Sequence, residues 1–340
     1  MRALITANFD KEALNELGKY LEVEYRAWNI TKHVLSQTEL LEHLNSSRSD
    51  ILIVELEHVD QEVIDNAKDL KLIGVCRNDP RRNVDIEAAT ARGIPVIYTP
   101  GRNTNAVAEL VVAAIILLLR KITSINLSLK SGSIRIESFK DFVKYYEEWR
   151  GGELCGKTVG IIGLGRIGYR VAELIRAFGA QVLVYDPYVP EEKVKNVGGT
   201  KVDLKTLLLN SDIVTLHVPP LETTVNMIGR RELELMKPGA LLVNFSNPTV
   251  VDEDALYEAL SQRRIAGAAL DVFYEEPVDS SNRFLKLDNV LVTPHVGGNT
   301  SETVKRQSFM ILDDVLRFLR GEKPARLANP EVWERCLRML

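Results

Sequence analysis

The sequence predicts an α/β protein made of two doubly wound parallel-sheet domains. Three observations predict it. The 340 residues are too many for one ordinary domain and suit two of about 150 each. Short β-branched apolar runs alternate with amphipathic stretches over the first hundred residues. The same alternation restarts near Gly156. A βαβα order places helices on both faces of a parallel sheet, and two such sheets imply a cleft between domains.

The elements follow in chain order. Arg2–Thr6 reads as a strand, Lys11–Lys19 as a helix and Val23–Tyr25 as a second strand. Thr38–Leu44 is helical, Ile51–Val54 a strand, Gln61–Ala67 a helix and Leu72–Val75 a strand. Asp85–Arg92 is a helix that Gly93 can end, and Ile94–Ile97 follows as a strand. Asn105–Arg120 is a long, increasingly apolar helix. Thr123–Arg150, rich in charge and aromatics, reads as an arm suited to a dimer contact, with a hairpin packed on its own domain as the plain alternative. In the second series the strands are Thr158–Ile162, Gln181–Tyr185, Ile213–Leu216, Leu241–Asn244, Ala266–Leu270 and Val290–Val292. Helices are predicted at Arg166–Phe178, Arg231–Met236 and Glu253–Arg263, and Ser301–Arg320 is expected to return to the first domain. The predicted domains are therefore 1–104 with 300–330, and 105–299 with the arm at 105–150.

Composition narrows the function. A net charge of -4 is not that of a non-specific nucleic-acid binder. The apolar run Val111–Leu119 is too short for a membrane span, which needs about 20 residues. No apolar leader is read at the N-terminus, so no secretory signal is expected. Cys76, Cys155 and Cys336 are few, odd in number and far apart, which predicts a reducing compartment, the cytoplasm, and no metal site.

The sharpest motif is Gly163-Leu-Gly165-Arg166-Ile167-Gly168. It follows one predicted strand and opens a helix, and the next strand ends at an acidic residue, Asp186, about 20 positions on. These are the context tests of the Rossmann dinucleotide fingerprint. Free N–H groups at the helix start hold the pyrophosphate. Asp186 would accept from the adenosine ribose and repel a 2′-phosphate, and Pro187 and Tyr188 supply no cation beside it, so NAD is the expected cofactor. A glycine-rich turn without a ligand is the plain alternative. The ends of the later strands extend the predicted cofactor site through His217, Val218, Pro219, Thr224, Phe245, Ser246, Asp271, Gly297 and Gly298.

Further motifs then fall in order: Leu72-Ile-Gly-Val-Cys-Arg77, Asn83-Val-Asp-Ile-Glu-Ala-Ala89, Gly93-Ile-Pro-Val96, Thr99-Pro-Gly-Arg-Asn103, Ala106-Val-Ala-Glu109, Gly156 through Gly168, Met236-Lys-Pro-Gly-Ala240, Ala268-Ala-Leu-Asp-Val-Phe273, Glu276-Pro277 and Thr293-Pro-His-Val-Gly-Gly298. With these the chain resembles the D-isomer-specific 2-hydroxyacid dehydrogenases over about Leu72 to Asn299, and the end segments suit that family's split first domain, which is flavodoxin-like. The resemblance implies that His295 is the acid–base residue, paired with Glu276, and that Asp271 contacts the nicotinamide carboxamide. Histidine suits the role because its ordinary pKa, about 6.5, lies near working pH. A satisfied core histidine, a solvated glutamate and a strand-end cap are the respective plain alternatives.

The chain departs from that pattern at the third catalytic position. Where the family has an arginine followed by glycine, this sequence has Asn247 and Pro248. Asparagine has neither positive charge nor a bidentate fork. Such a loss costs about 3 kcal/mol, or two orders of magnitude in rate. The first-domain loop, a Gly-Val-Gly turn in the family, here reads Cys76-Arg77-Asn78-Asp79-Pro80-Arg81-Arg82. Arg77 or a neighbouring arginine is a candidate for the missing charge, with a solvated basic turn as the alternative. Arg77, Asn78 and Arg102 are the predicted substrate-binding residues. Asp79 sits awkwardly beside the anionic end of a simple 2-keto acid, so the expected substrate is a polyhydroxylated sugar acid or a compound not anionic at that end. The leading expectation is an NAD-dependent enzyme interconverting a 2-hydroxy acid and its 2-keto acid, as a homodimer. An NAD(H)-binding regulator or scaffold without turnover is the open alternative.

Overall fold

Alternate residues of a strand face opposite sides of its sheet, so a strand covered on both faces must be apolar throughout. Ile51-Leu-Ile-Val54 shows the consequence. Ile51 and Ile53 join one core and Leu52 and Val54 another. The computed structural model describes residues 1–336. The chain forms two units, one of residues 1–102 with the chain from Thr300 on, the other of Asn103–Asn299.

The first unit holds strands β1 (Arg2–Ile5), β2 (Glu22–Tyr25), β3 (Ile51–Val54), β4 (Leu72–Val75) and β5 (Val96–Tyr98). They pair in parallel in the order β2-β1-β3-β4-β5. Helices Lys11–Leu17 and Ser301–Leu319 close one face through Leu17, Ile311, Val315 and Phe318. Helices Gln37–Ser47, Gln61–Asn66 and Ile86–Ala91 close the other through Leu40, Leu44, Val63, Ile64 and Ala89. Side chains of Asp10, Ser36, Asp60, Asp85 and Thr300 cap these five helices, each accepting from a first-turn N–H. The edge of β5 is covered by a segment not predicted from the sequence. Buried Asn329 accepts from the Val96 N–H at 2.8 Å and donates to the Ile94 carbonyl, while the Ala328 N–H donates to Val96 O. The edge strand's amides are thereby paired rather than left open.

The second unit holds β6 (Thr158–Ile162), β7 (Gln181–Tyr185), β8 (Thr200–Lys201), β9 (Ile213–Leu216), β10 (Leu241–Asn244), β11 (Gly267–Leu270) and β12 (Val290–Val292). All pair in parallel, in the order β12-β11-β10-β9-β6-β7-β8. The chain leaves β6 toward β7 and later returns to its other side at β9. The carboxyl end of that switch point is where open α/β sheets take ligands. Helices Thr104–Leu119 and Arg166–Ala177 bury Val111, Ile115, Val171 and Ile175 on one face. Leu204–Asn210, Arg230–Leu235 and Glu253–Ser261 bury Leu207, Leu233 and Leu256 on the other.

The segment read as an arm is two helices, Ile122–Lys130 and Phe139–Glu148, with no buried residue in either. Phe139 is 79% exposed, and Leu127, Phe142 and Tyr146 are exposed with it. Among the described residues no helix is long and apolar enough to cross a membrane.

Candidate active site

The glycine motif joins β6 to helix Arg166–Ala177. Gly163 has φ 91°, a left-handed backbone that a Cβ disfavours, and a Cβ there would stand 2.7 Å from the His217 carbonyl. A Cβ on Gly168 would stand 2.1 Å from the Gly163 carbonyl, so the helix can approach the strand only without one. Gly165 differs, for a Cβ there meets nothing within 4 Å. It is the helix N-cap, has no side chain to cap with, and leaves first-turn N–H groups facing open space. Arg166 is exposed beside them and Ile167 half-buried. An open cradle at an uncapped helix N-terminus fits a pyrophosphate.

The acidic residue follows at the end of β7. Asp186 accepts from the Leu164 N–H through Oδ2 at 2.8 Å and from the Tyr188 N–H through Oδ1 at 2.9 Å. These bonds tie the ribose-side carboxylate to the glycine loop and leave each oxygen a further lone pair. The residues present therefore fit a dinucleotide, which Gly163, Gly165, Arg166 and Asp186 would hold.

At the end of β9, His217 contacts Thr215 Oγ1 through Nε2 at 3.0 Å. Burial pulls its pKa down to about 3, so it is neutral at working pH. Val218 packs under Gly163. Thr224 donates to the Pro219 carbonyl at 2.6 Å and accepts from the Leu221 N–H, closing the loop after β9. At the end of β10, Ser246 donates through N and Oγ to Asn244 Oδ1, and Phe245 is buried.

Asn247 caps the turn Pro248–Val250. Its Oδ1 accepts from the Thr249 N–H at 3.0 Å and from Thr249 Oγ1 at 2.7 Å. The acceptor end of the amide is thereby used, and Nδ2, a neutral donor, has no partner among the described residues.

The histidine lies on the turn after β12. His295 Nδ1 is 2.7 Å from Glu276 Oε2, and Glu276 Oε1 accepts from the Phe273 N–H at 3.2 Å. A carboxylate at Nδ1 calls for a proton on that nitrogen and leaves Nε2 as the exchanging atom. Both side chains are part-exposed, at 49% and 37%, so the pair is open to solvent. Asp271, at the end of β11, is 2% exposed, and both its oxygens are engaged by residues 293–297. Gly297 and Gly298 follow on the same turn. A Cβ on Gly297 would stand 2.8 Å from Asp271 Oδ2, and one on Gly298 2.8 Å from Asn103 Nδ2.

The three substrate-binding candidates of the first unit lie on loops after β4 and β5. Arg77 donates from Nε to the Glu55 carbonyl at 2.8 Å, and among the described residues no carboxylate forms an ion pair with it. Burial, then neighbouring Arg102, lowers its pKa from the usual guanidinium value. Asn78 Oδ1 accepts from the Gly101 N–H at 2.9 Å. Arg102 is bound up in a network that the sequence does not reveal, pairing with Glu55 Oε1 at 3.0 Å and donating to Gln307. Glu55 Oε2 accepts in turn from the Asn8 N–H and from Trp28 Nε1, both at 3.1 Å. Gln307 lies 205 residues from Arg102, beyond the reach of any local pattern. Asp79 accepts from the Arg81 N–H as the cap of turn Pro80–Arg82, a backbone role that accounts for its place in a basic loop.

This fold and site define a dinucleotide-dependent oxidoreductase of two α/β units. The family model described as "D-isomer specific 2-hydroxyacid dehydrogenase, NAD binding domain" matches residues 112–297. The chain is 40% identical to the putative 2-hydroxyacid dehydrogenase YoaD of Bacillus subtilis, covering 95% of this chain and 92% of that one. It is 38% identical to the D-3-phosphoglycerate dehydrogenase of Archaeoglobus fulgidus over 94% of this chain, but spans only 58% of that protein's length. The TT0316 protein of Thermus thermophilus superposes with a TM-score of 0.85 at 32% identity, over 96% of this chain and 100% of that one. The chain belongs to the D-isomer specific 2-hydroxyacid dehydrogenase family. Its cofactor is NAD(H), and its reaction class is oxidoreduction between a 2-hydroxy acid and a 2-oxo acid.

Proposed function

We propose that this chain reduces a small 2-oxo acid to the D-2-hydroxy acid, and reverses the reaction, with His295 as acid and base. The observation that carries the reading is the 2.7 Å contact between His295 Nδ1 and Glu276, which turns Nε2 into a free proton-exchanging atom. It stands at the carboxyl edge of the sheet whose β6 opens into the glycine cradle. The cofactor supplies or accepts the hydride. His295 Nε2 gives the proton to the substrate oxygen in reduction and takes it back in oxidation. Glu276 holds the ring and stabilises the imidazolium.

Asn247 Nδ2 is assigned to the substrate oxygen as a neutral hydrogen-bond donor. The carboxylate contact an arginine would make there is assigned to Arg77, whose cation has no acidic partner among the described residues. Asn78 and Arg102 support that anchor, Arg102 through its Glu55 pair. A substrate with hydroxyl groups beyond C2, a sugar acid, suits the polar residues of these loops.

The test follows NADH absorbance against glyoxylate, pyruvate, hydroxypyruvate and 3-phosphohydroxypyruvate, with the product's configuration determined. His295→Asn should lower kcat by about three orders of magnitude. Full turnover in that variant, or NADH binding without turnover on any sugar-derived or simple 2-oxo acid, overturns the reading. Arg77→Ala should raise KM about tenfold or more with a smaller effect on kcat.

The assembly proposed is a homodimer through the exposed apolar faces of Ile122–Lys130 and Phe139–Glu148. Phe139→Glu should yield monomers in light scattering. The compartment proposed is the cytoplasm, which suits three unpaired cysteines, of which Cys155 is exposed.

A further inference from the structure

His295 has φ 54°, in the left-handed region that residues with a Cβ rarely adopt. Something must hold it there, and the bonds around it show what does. Asp271 Oδ1 accepts from Thr293 Oγ1 at 2.6 Å and from the Val296 N–H at 2.8 Å, and Oδ2 accepts from the Gly297 N–H at 2.8 Å. The donors bracket His295, one before it and two after it. The Thr293 N–H donates to Leu270 O, and the His295 N–H donates back to Thr293 O.

The carboxylate is almost wholly buried and forms no ion pair among the described residues. Its charge is met by these hydrogen bonds, which are strong because they reach an anion. The approach also dictates the sequence, since any Cβ at position 297 would meet Oδ2 at 2.8 Å.

We propose that Asp271 is a positioning residue, a three-point clamp that sets the backbone of His295 so that Nδ1 meets Glu276 and Nε2 stays free. The inference rests on the reading of His295 as acid and base. It gives Asp271 a task distinct from contact with the cofactor, and it makes Thr293 part of the same device. An asparagine at 271 can keep the acceptor toward Thr293 and Val296, but it turns a donor toward the Gly297 N–H.

The test compares Asp271→Asn, Thr293→Val and Thr293→Ser with the wild type. In the protein without cofactor, nitrogen NMR of the His295 imidazole reports its tautomer. The wild type should show the proton held on Nδ1. Asp271→Asn and Thr293→Val should show mixed tautomers, as the bond to Glu276 loosens. They should lose about tenfold in kcat while the Kd for NADH stays within about twofold. Thr293→Ser, which keeps the hydroxyl, should restore both. An unchanged imidazole spectrum in Thr293→Val overturns the clamp, whether or not Asp271→Asn folds. So does a loss of NADH affinity in Asp271→Asn with spectrum and kcat intact, which would make Asp271 a cofactor contact. If His295→Asn keeps full turnover while the spectrum still responds to Thr293→Val, the acid–base reading falls and the clamp stands.

Discussion

Alanine at position 165 separates the phosphate cradle from the fold. Gly165 has φ -68° and ψ -162°, extended backbone open to any residue. The added methyl meets nothing within 4 Å, so it neither clashes nor displaces a neighbour. The fold should notice little: alanine reduces unfolded-chain entropy by a few tenths of a kcal/mol, and glycine is the somewhat better N-cap. The methyl does occupy the space through which a pyrophosphate reaches the first-turn N–H groups. Weakening one charge-assisted hydrogen bond to the phosphate by about 2 kcal/mol raises Kd roughly thirtyfold. Gly168→Ala is the control. Its Cβ would stand 2.1 Å from the Gly163 carbonyl, so helix or strand must move. Overpacking of that kind costs about 1–3 kcal/mol of stability. The assays are NADH fluorescence titration and urea unfolding on both variants. Wild-type NADH affinity in Gly165→Ala, or wild-type stability in Gly168→Ala, would refute the reasoning.

Other outcomes follow from the same geometry. Glu276→Gln removes the anion beside His295 Nδ1; for a half-exposed pair this is worth about 1 kcal/mol, so reduction should slow several-fold. An unchanged kcat would count against the pair. Asn247→Arg sacrifices the cap on Thr249 at about 1 kcal/mol but brings back a cation, so thermal stability should fall slightly while kcat/KM on 2-oxo acids rises at least about tenfold. Acid should destabilise the second unit through His217. The folded chain keeps this ring neutral down to about pH 3, whereas unfolded histidine binds a proton below about pH 6.5. The contribution is therefore intact above about pH 6.5 and is lost as pH falls toward about 3, by up to ~1.4 kcal/mol per unit. Urea titrations at several pH values should show a shallower slope in His217→Gln.

The legible parts of the molecule are those with a short-range cause. Ile51–Val54, Leu72–Val75, Thr158–Ile162 and Gln181–Tyr185 are read to the residue because each consists mainly of apolar and β-branched residues. Several helix starts are legible because the cap residue is written beside them, as at Asp60, Asp85, Asp252 and Thr300. The strand ends near Asp186, His217 and Asn244 are readable because each apolar run stops at a polar residue. Helices Glu191–Asn196 and Leu204–Asn210 are not predicted from the sequence, nor is the two-residue strand Thr200–Lys201. They are too short for periodicity to declare itself, and packing decides them. The arm is legible as a segment, with two helices among its readings as a hairpin, but its packing is not legible, since neither helix buries a residue.

The sequence by itself determined that the chain would wind two parallel sheets, where the dinucleotide turn would fall, and that His295, Glu276 and Asn247 would stand on segments that follow strands of the second sheet. Those are consequences of local residue order. Tertiary structure alone decided how polar groups far apart in the chain are bonded. Asp271 holds the turn of His295, Arg102 is matched by Glu55, and Arg77 has no such match among the described residues. Whether a charge is satisfied or available depends on atoms brought within about 3 Å by folding, and distance along the chain carries almost no information about that.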